Sequence, residues 1–141
     1  MNDARSYLVQ VELYDTHINN KLEELQRLKE LTRHITSTLK QDVVSHSGNQ
    51  DKLAEAVAKI VDLECEITAA VDAYIDKKRE VSATIEKIAV PEQVSVLHKL
   101  YFEYKTWMEI AAEMHMTERN AQYIHGRALQ SVSRLLNGDD V

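Results

Sequence analysis

From Tyr7 onward, apolar residues recur in alternating steps of four and three through Val11, Tyr14, Ile18, Leu25, Leu28, Ile35 and Leu39, with Lys21 and Thr32 as polar members. A stripe of this period, with Glu, Lys and Arg filling the other positions, predicts a long amphipathic helix with coiled-coil-like packing. The segment Val43 to Gln50, VVSHSGNQ, interrupts the series and gathers Ser, Gly and Asn, so a chain reversal is expected there. A second stripe follows through Leu53, Val57, Ile60, Ile67, Val71, Tyr74, Val81, Ile85 and Ile88, with Glu64 and Lys78 as its polar members. Two stripes of similar length predict a long antiparallel hairpin over residues 1–90, each arm approaching ~55 Å at about 1.5 Å per residue. Side positions Leu8, Leu22, Leu31, Val61 and Leu63 carry apolar surface beyond what one seam covers. A second copy completing a four-helix bundle is the economical cover, so a homodimer through the hairpin is expected. Glu64 and Lys78 either pair across the seam and set its register or sit where the hairpin is open to water, the commoner situation for charged side chains.

The long periodic pattern is expected to end at Val90-Pro91, because proline lacks a backbone donor and pushes the residue before it out of helical geometry. A domain boundary is placed there, with a second module over residues 91–141. Pro91 suits the first turn of a new helix, and Glu92 falls near its positive end. Val94, Leu97, Leu100 and Tyr101 share one face of this short helix, which is expected to run to about Tyr104. Thr106 and Glu109 then stand in the capping-box arrangement, starting a helix whose inner face is Trp107, Ile110, Ala111 and Met114. After His115-Met116, Thr117 offers another N-cap. The last helix carries Ala121, Ile124, Ala128, Leu129 and Val132 as its buried stripe and stops at Asn137-Gly138. Two helices joined by a tight turn, with small Ala111 and Ala121 at their crossing, predict a helix-turn-helix. His115 then takes the turn position that requires left-handed geometry, which His tolerates better than most residues.

With Ala121, Ile124 and Ala128 turned inward, Glu118, Arg119, Gln122 and Tyr123 project from the first turns of the last helix as candidate readers of base edges in a major groove. Arg can pair bidentately with guanine and Gln with adenine. Thr117, Asn120, Arg127 and Lys105 are the candidate phosphate contacts. Gly126 on the same side either permits close backbone approach to DNA or simply weakens the helix.

The stretch TWMEIAAEMHMTERNAQYIHGRALQSVSRLL resembles the helix-turn-helix of region 4 in sigma-70-type initiation factors, with Thr117, Ala121, Ile124, Ala128, Leu129 and Val132 matching the cap and core pattern without a gap. Over nearly its whole length the chain is similar to a family of small phage and prophage proteins with a sigma-region-4-like end, related to the ArpU/RinA-type late transcription regulators. The segments NNKLEELQRLKELTRHI, SGNQDKLAEAVAKIVDLECEI and YFEYKTWMEIAAEM carry that similarity. The resemblance implies an all-α chain in which a helical hairpin precedes a three-helix sigma-region-4-like module, with double-stranded DNA as partner and control of phage late genes; host RNA polymerase is a further candidate partner. This chain departs from sigma region 4 where basic positions are replaced by Asn120, Gln122 and Tyr123.

Composition agrees with an all-helical chain: only three Gly and one Pro interrupt a sequence rich in Ala, Leu, Glu and Lys. Charge changes the picture more. The formal net charge is −6, with 12 basic against 16 acidic residues through Val90 and 5 against 7 beyond it. An acidic chain binds DNA weakly as a monomer, so pairing of two half-sites through the hairpin is expected to supply effective concentration. The lone Cys65 cannot form an internal disulfide, suits a reducing cytoplasm (that of a bacterial host if the gene is phage-borne), and reads as a small buried or half-buried apolar residue. Neither a signal peptide nor a membrane span is expected. The six histidines lack ligand spacing, and no phosphate-cradling loop or convergent carboxylate pair is visible. No enzyme, metal, cofactor or small-molecule substrate is therefore expected. Two other functions fit the pattern. One is a protein-interaction module using the hairpin; the other is DNA recognition for packaging, as in a small terminase subunit.

Overall fold

A computed structural model describes residues 2–41 and 47–138. The fold is all-α, with no strand among those residues. Helix α1 spans Asn2–Gln41, α2 Ser47–Ile85, α3 Pro91–Leu97, α4 Trp107–Met114 and α5 Glu118–Leu136, and a π-helical turn, His98–Phe102, extends α3. Residues 42–46, which include the first half of the expected reversal, lie outside the described residues, while Ser47–Gln50 already belong to α2. Ser, Gly and Asn are favoured at helix starts as well as in turns, which is why the segment reads either way. No described helix is long and apolar enough to cross a membrane.

The chain divides into two compact units, Asp15–Ala73 and Met1–Tyr14 together with Tyr74–Val141. In the first unit the two long helices run antiparallel, with Lys21 and Glu66 joined at 3.5 Å near one end and a groove between Leu28, Ile35 and Thr38 on α1 and Lys52, Ala56 and Lys59 on α2 near the other. The α1 side of the seam follows the expected series. The α2 side does not. Ala56 and Leu63 are buried and Ala70 half-buried, whereas Val57 and Glu64, one residue further on, are exposed. Leu53, Ile60 and Ile67 therefore pair with Ala56, Leu63 and Ala70 in a regular three-four heptad. This corrects the expected seam by one residue at two layers, where Ala56 replaces Val57 and Leu63 replaces Glu64. It also removes Glu64 from the interface, and the cross-helix ion pair is made by Glu66. Cys65 is exposed, contrary to its expected burial, because this shift turns it away from the seam.

The second unit has two cores. The larger contains Ala4, Leu8 and Val11 from α1, Val81 and Ile85 from α2, Ile88, Leu97, Tyr101, and Ala128, Leu129 and Val132 from α5. Leu8, expected on a flank, is fully buried here. Tyr7 and Thr84 share a hydrogen bond of 3.0 Å and Lys77 lies over the Tyr14 ring, so this stretch is also antiparallel. Lys78 sits over the Tyr74 and Phe102 rings. Helix α2 ends at Ile85, five residues before the expected stop, because Glu86 and Lys87 form a turn that swings Ile88 into the core. Val90 is extended (φ −94°, ψ 110°) and Pro91 opens α3, as the pre-proline restriction requires. The compact unit therefore includes residues on both sides of Pro91. The helical run after Pro91 stops at Phe102, not Tyr104, since Tyr104 adopts a left-handed φ of 56° that no helix accommodates.

The smaller core joins Val96, Ile110, Ala121 and Ile124, with Trp107, Met114 and Met116 packed against it. His125, which no apolar pattern marks, is buried between Tyr101 of the larger core and Trp107 of the smaller: it shares a 2.7 Å hydrogen bond with the Tyr101 hydroxyl, and the Trp107 ring meets it edge-on at 5.3 Å. Burial, then the nearby Arg5 charge, lowers its pKa to about 4.

Two outcomes follow from this packing. Leu8→Ala is expected to cost about 2–5 kcal/mol in urea unfolding, as buried leucine truncations do, while Leu13→Ala, on an exposed position of the same helix, changes stability by no more than about 0.5 kcal/mol. The His125 imidazole is neutral in the fold and binds a proton more readily when unfolded. Its contribution is thus complete above the ordinary histidine pKa near 6.5 and is lost as pH falls toward and through about 4. The stability difference between wild type and His125→Phe, measured by thermal melts across pH 3–8, is expected to shrink over that window as pH falls; a difference independent of pH would contradict the buried neutral imidazole.

Candidate nucleic-acid interface

Helices α4 and α5 are positioned by the turn between them. The α4 N-terminus is closed by a complete capping box: Glu109 N–H donates to Thr106 Oγ1 at 3.2 Å, and Thr106 N–H donates to Glu109 Oε1 at 3.1 Å. The Thr106 N–H and, at 3.0 Å, the Thr106 hydroxyl both donate to the Glu109 carboxyl and hold it below its ordinary pKa. At the other end His115 is left-handed, with φ 56° and ψ 50°. Met116 N–H donates to Ala111 C=O at 3.0 Å and His115 N–H to Ala112 C=O at 3.4 Å, the paired reverse bonds of a Schellman termination. Thr117 then caps α5, its Oγ1 accepting from Asn120 N–H at 3.1 Å. Only residues 115–117 separate the two helices.

Glu118, Arg119, Gln122 and Tyr123 are all exposed on the first turns of α5, and Tyr123 keeps 63% of its surface. Ala121, Ile124 and Ala128 lie behind them in the core, as do Leu97, Ile110 and Ala111; Trp107 and Met114 are half-buried at its edge. Met108, 71% exposed, is the largest apolar side chain left open on α4. Gly126 is half-buried, and a Cβ there would meet nothing within 4 Å, so packing within the protein does not require a glycine.

The four candidate phosphate contacts fall into different situations. Thr117, Asn120 and Arg127 are exposed, although Thr117 Oγ1 is engaged in the cap and Asn120 Nδ2 lies 3.8 Å from Met116 Sδ. Lys105 is committed elsewhere. Its ammonium donates to Glu113 at 2.6 Å and reaches Glu103 at 3.2 Å, while Lys99 donates to the same Glu113 oxygen at 3.1 Å. The hydrogen bond to Glu113 raises the Lys105 pKa, and those from Lys105 and Lys99 lower that of Glu113. This cluster ties the segment after α3 to α4, and no hydrophobic period in the sequence marks it.

Sequence reading missed three buried members of the site's support, Val96, His125 and Ser131. Val96 lies one residue from the marked Leu97 and faces the other core. His125 and Ser131 are polar and are buried through hydrogen bonds, to Tyr101 and Gln93 respectively. No protein-family model, no curated protein and no solved structure matches the chain.

Proposed function

We propose that the chain is a sequence-specific double-stranded-DNA-binding transcription regulator, acting through a helix-turn-helix formed by α4, the 115–117 turn and α5. The observation that most supports this is the exposed flank Glu118, Arg119, Gln122 and Tyr123 at the start of α5, opposite a fully packed Ala121 and a buried Ile124. A helix that presents polar donors and acceptors on its first two turns while anchored from behind has the form that enters a major groove. Arg119 is the principal base reader in this scheme and Gln122 the second. Thr117, Asn120 and Arg127 steady the helix against phosphates.

The resemblance to sigma region 4 and to ArpU/RinA-type regulators supports control of phage or prophage genes in a bacterial cytoplasm, with RNA polymerase as a further contact. Exposed Leu22, Leu31, Val57 and Val61 in the Asp15–Ala73 unit support a homodimer formed through the long helices. The same exposed residues, together with the acidic net charge, favour a second reading in which that unit binds another protein.

Selection of sites from random duplex DNA at low and moderate salt tests the main reading, and failure to enrich any sequence would remove it. On an enriched site, Arg119→Ala is expected to weaken binding by about 1–3 kcal/mol in gel shifts and to relax preference at one base pair. Light scattering at micromolar concentration is expected to return twice the chain mass. A monomer would rule out the dimer, and a larger ring would favour a packaging role.

A further inference from the structure

Around α5, Arg119, Tyr123, Arg127, Gln130 and Arg134 follow one another in steps of four, four, three and four, which places all five on one side of the helix at about 100° per residue. Every one of them is exposed. None of the three arginines forms an ion pair among the described residues. Glu118 is the single acidic residue of α5 and lies about 100° away around the axis. Three uncompensated guanidiniums thus share one face in a chain of net charge −6.

The C-terminal half of this face borders a cleft of about 210 Å³ whose polar lining is Gln93, Arg127, Gln130, Ser131 and Arg134. Ser131 Oγ donates to Gln93 Oε1 at 2.7 Å, which holds the α3 amide against α5. Its Nε2 group has no protein partner among the described residues. Amide and guanidinium donors line the cleft without a carboxylate, so it suits anions. The span from Arg119 to Arg134 is roughly 22 Å along the axis, longer than a small anion can bridge. A duplex, with one charge per ~1.7 Å of its axis, can meet all of it.

We propose that Arg127, Gln130 and Arg134, with Gln93, form a base-independent grip on the DNA sugar-phosphate backbone, so that the duplex runs beside the length of α5 as well as receiving its first turns. The proposal rests on the DNA-binding reading and extends its phosphate contacts from Arg127 to Gln130, Arg134 and Gln93, beyond the reading flank. It also answers the charge objection, because binding depends on the local arginine face and not on the net charge of the chain.

The test is fluorescence anisotropy with the full chain, using an enriched duplex and a random-sequence duplex across a salt series. Wild type is compared with Arg134→Ala, Arg127→Ala/Arg134→Ala and Arg134→Lys. Each lost arginine contact is expected to reduce the slope of log K against log salt by about 0.9 on both duplexes, the double variant by about twice that, and Arg134→Lys to keep the wild-type slope. The ratio of enriched to random affinity stays at its wild-type value, unlike that of Arg119→Ala. All variants are expected to keep wild-type helicity by circular dichroism, since the changed positions are exposed. A double variant with an unchanged slope overturns the backbone grip and leaves the reading flank standing. Loss of the affinity ratio in Arg134→Ala overturns it too, by making Arg134 a base reader. Wild type that binds neither duplex overturns both the grip and the DNA-binding reading.

Discussion

The rotation of α5 about its own axis is the constraint on which the rest depends. Ala121 and Ile124 are held by Val96 and Ile110 in the smaller core, while Ala128, Leu129 and Val132 are held by Leu97, Ile85 and the α1 residues Ala4, Leu8 and Val11 in the larger. Since each residue advances the helix by about 100°, a slip of one position would drive Gln122 or Arg127 into these cores and leave a charge or amide without a partner. Two separate clusters at the two ends of one helix make such a slip doubly costly. The outward direction of every polar side chain on α5 follows from this anchoring, and so does any function assigned to that surface.

Charge within the Tyr74–Val141 stretch is sorted in a way the net value hides. Three of its five lysines are neutralised locally: Lys99 and Lys105 share Glu113, and Lys77 pairs with Glu80. The arginines of α5 make no such pairs among the described residues. Exposed pairs of this kind add little stability, so the lysine contacts matter more for where they hold the chain than for what they contribute energetically. Their effect is to fasten the segment after α3 to α4 and to withdraw Lys105 from the surface that a polyanion would meet. Lys77, Lys99 and Lys105 therefore organise the fold, while the α5 arginines are left to the solvent.

Local signals in the sequence were the most legible. The Thr106–Glu109 capping box, the Thr117 cap, the left-handed His115 and the stop at Asn137-Gly138 all follow from residue type within a few positions, and the structure has each of them. The α2 seam was less legible. Val57 and Glu64 lie one residue past the buried Ala56 and Leu63, and a reading that follows an even three-four step from Leu53 and Ile60 chooses the wrong partner of each pair; only contact with α1 distinguishes them. The same bias hid the exposure of Cys65 and the role of Glu66. Helix ends set by tertiary packing were invisible as well, since nothing local says that Ile88 leaves α2 to enter a core or that Tyr104 turns left-handed. His125 and Ser131 were missed because their burial depends on hydrogen bonds to Tyr101 and Gln93, residues 24 and 38 positions away.

The turn at residues 115–117 has a consequence for association. The His115 and Met116 N–H groups satisfy the Ala112 and Ala111 carbonyls at the end of α4, the following helix is capped by Thr117, and the flanking helices are packed on a common core. Little freedom is left at this corner to be surrendered when another molecule arrives. Preorganisation of this kind reduces the ordering entropy that binding must overcome, so a ligand of α5 would be recognised as a rigid shape, its affinity governed by complementarity and desolvation rather than by folding the surface into place.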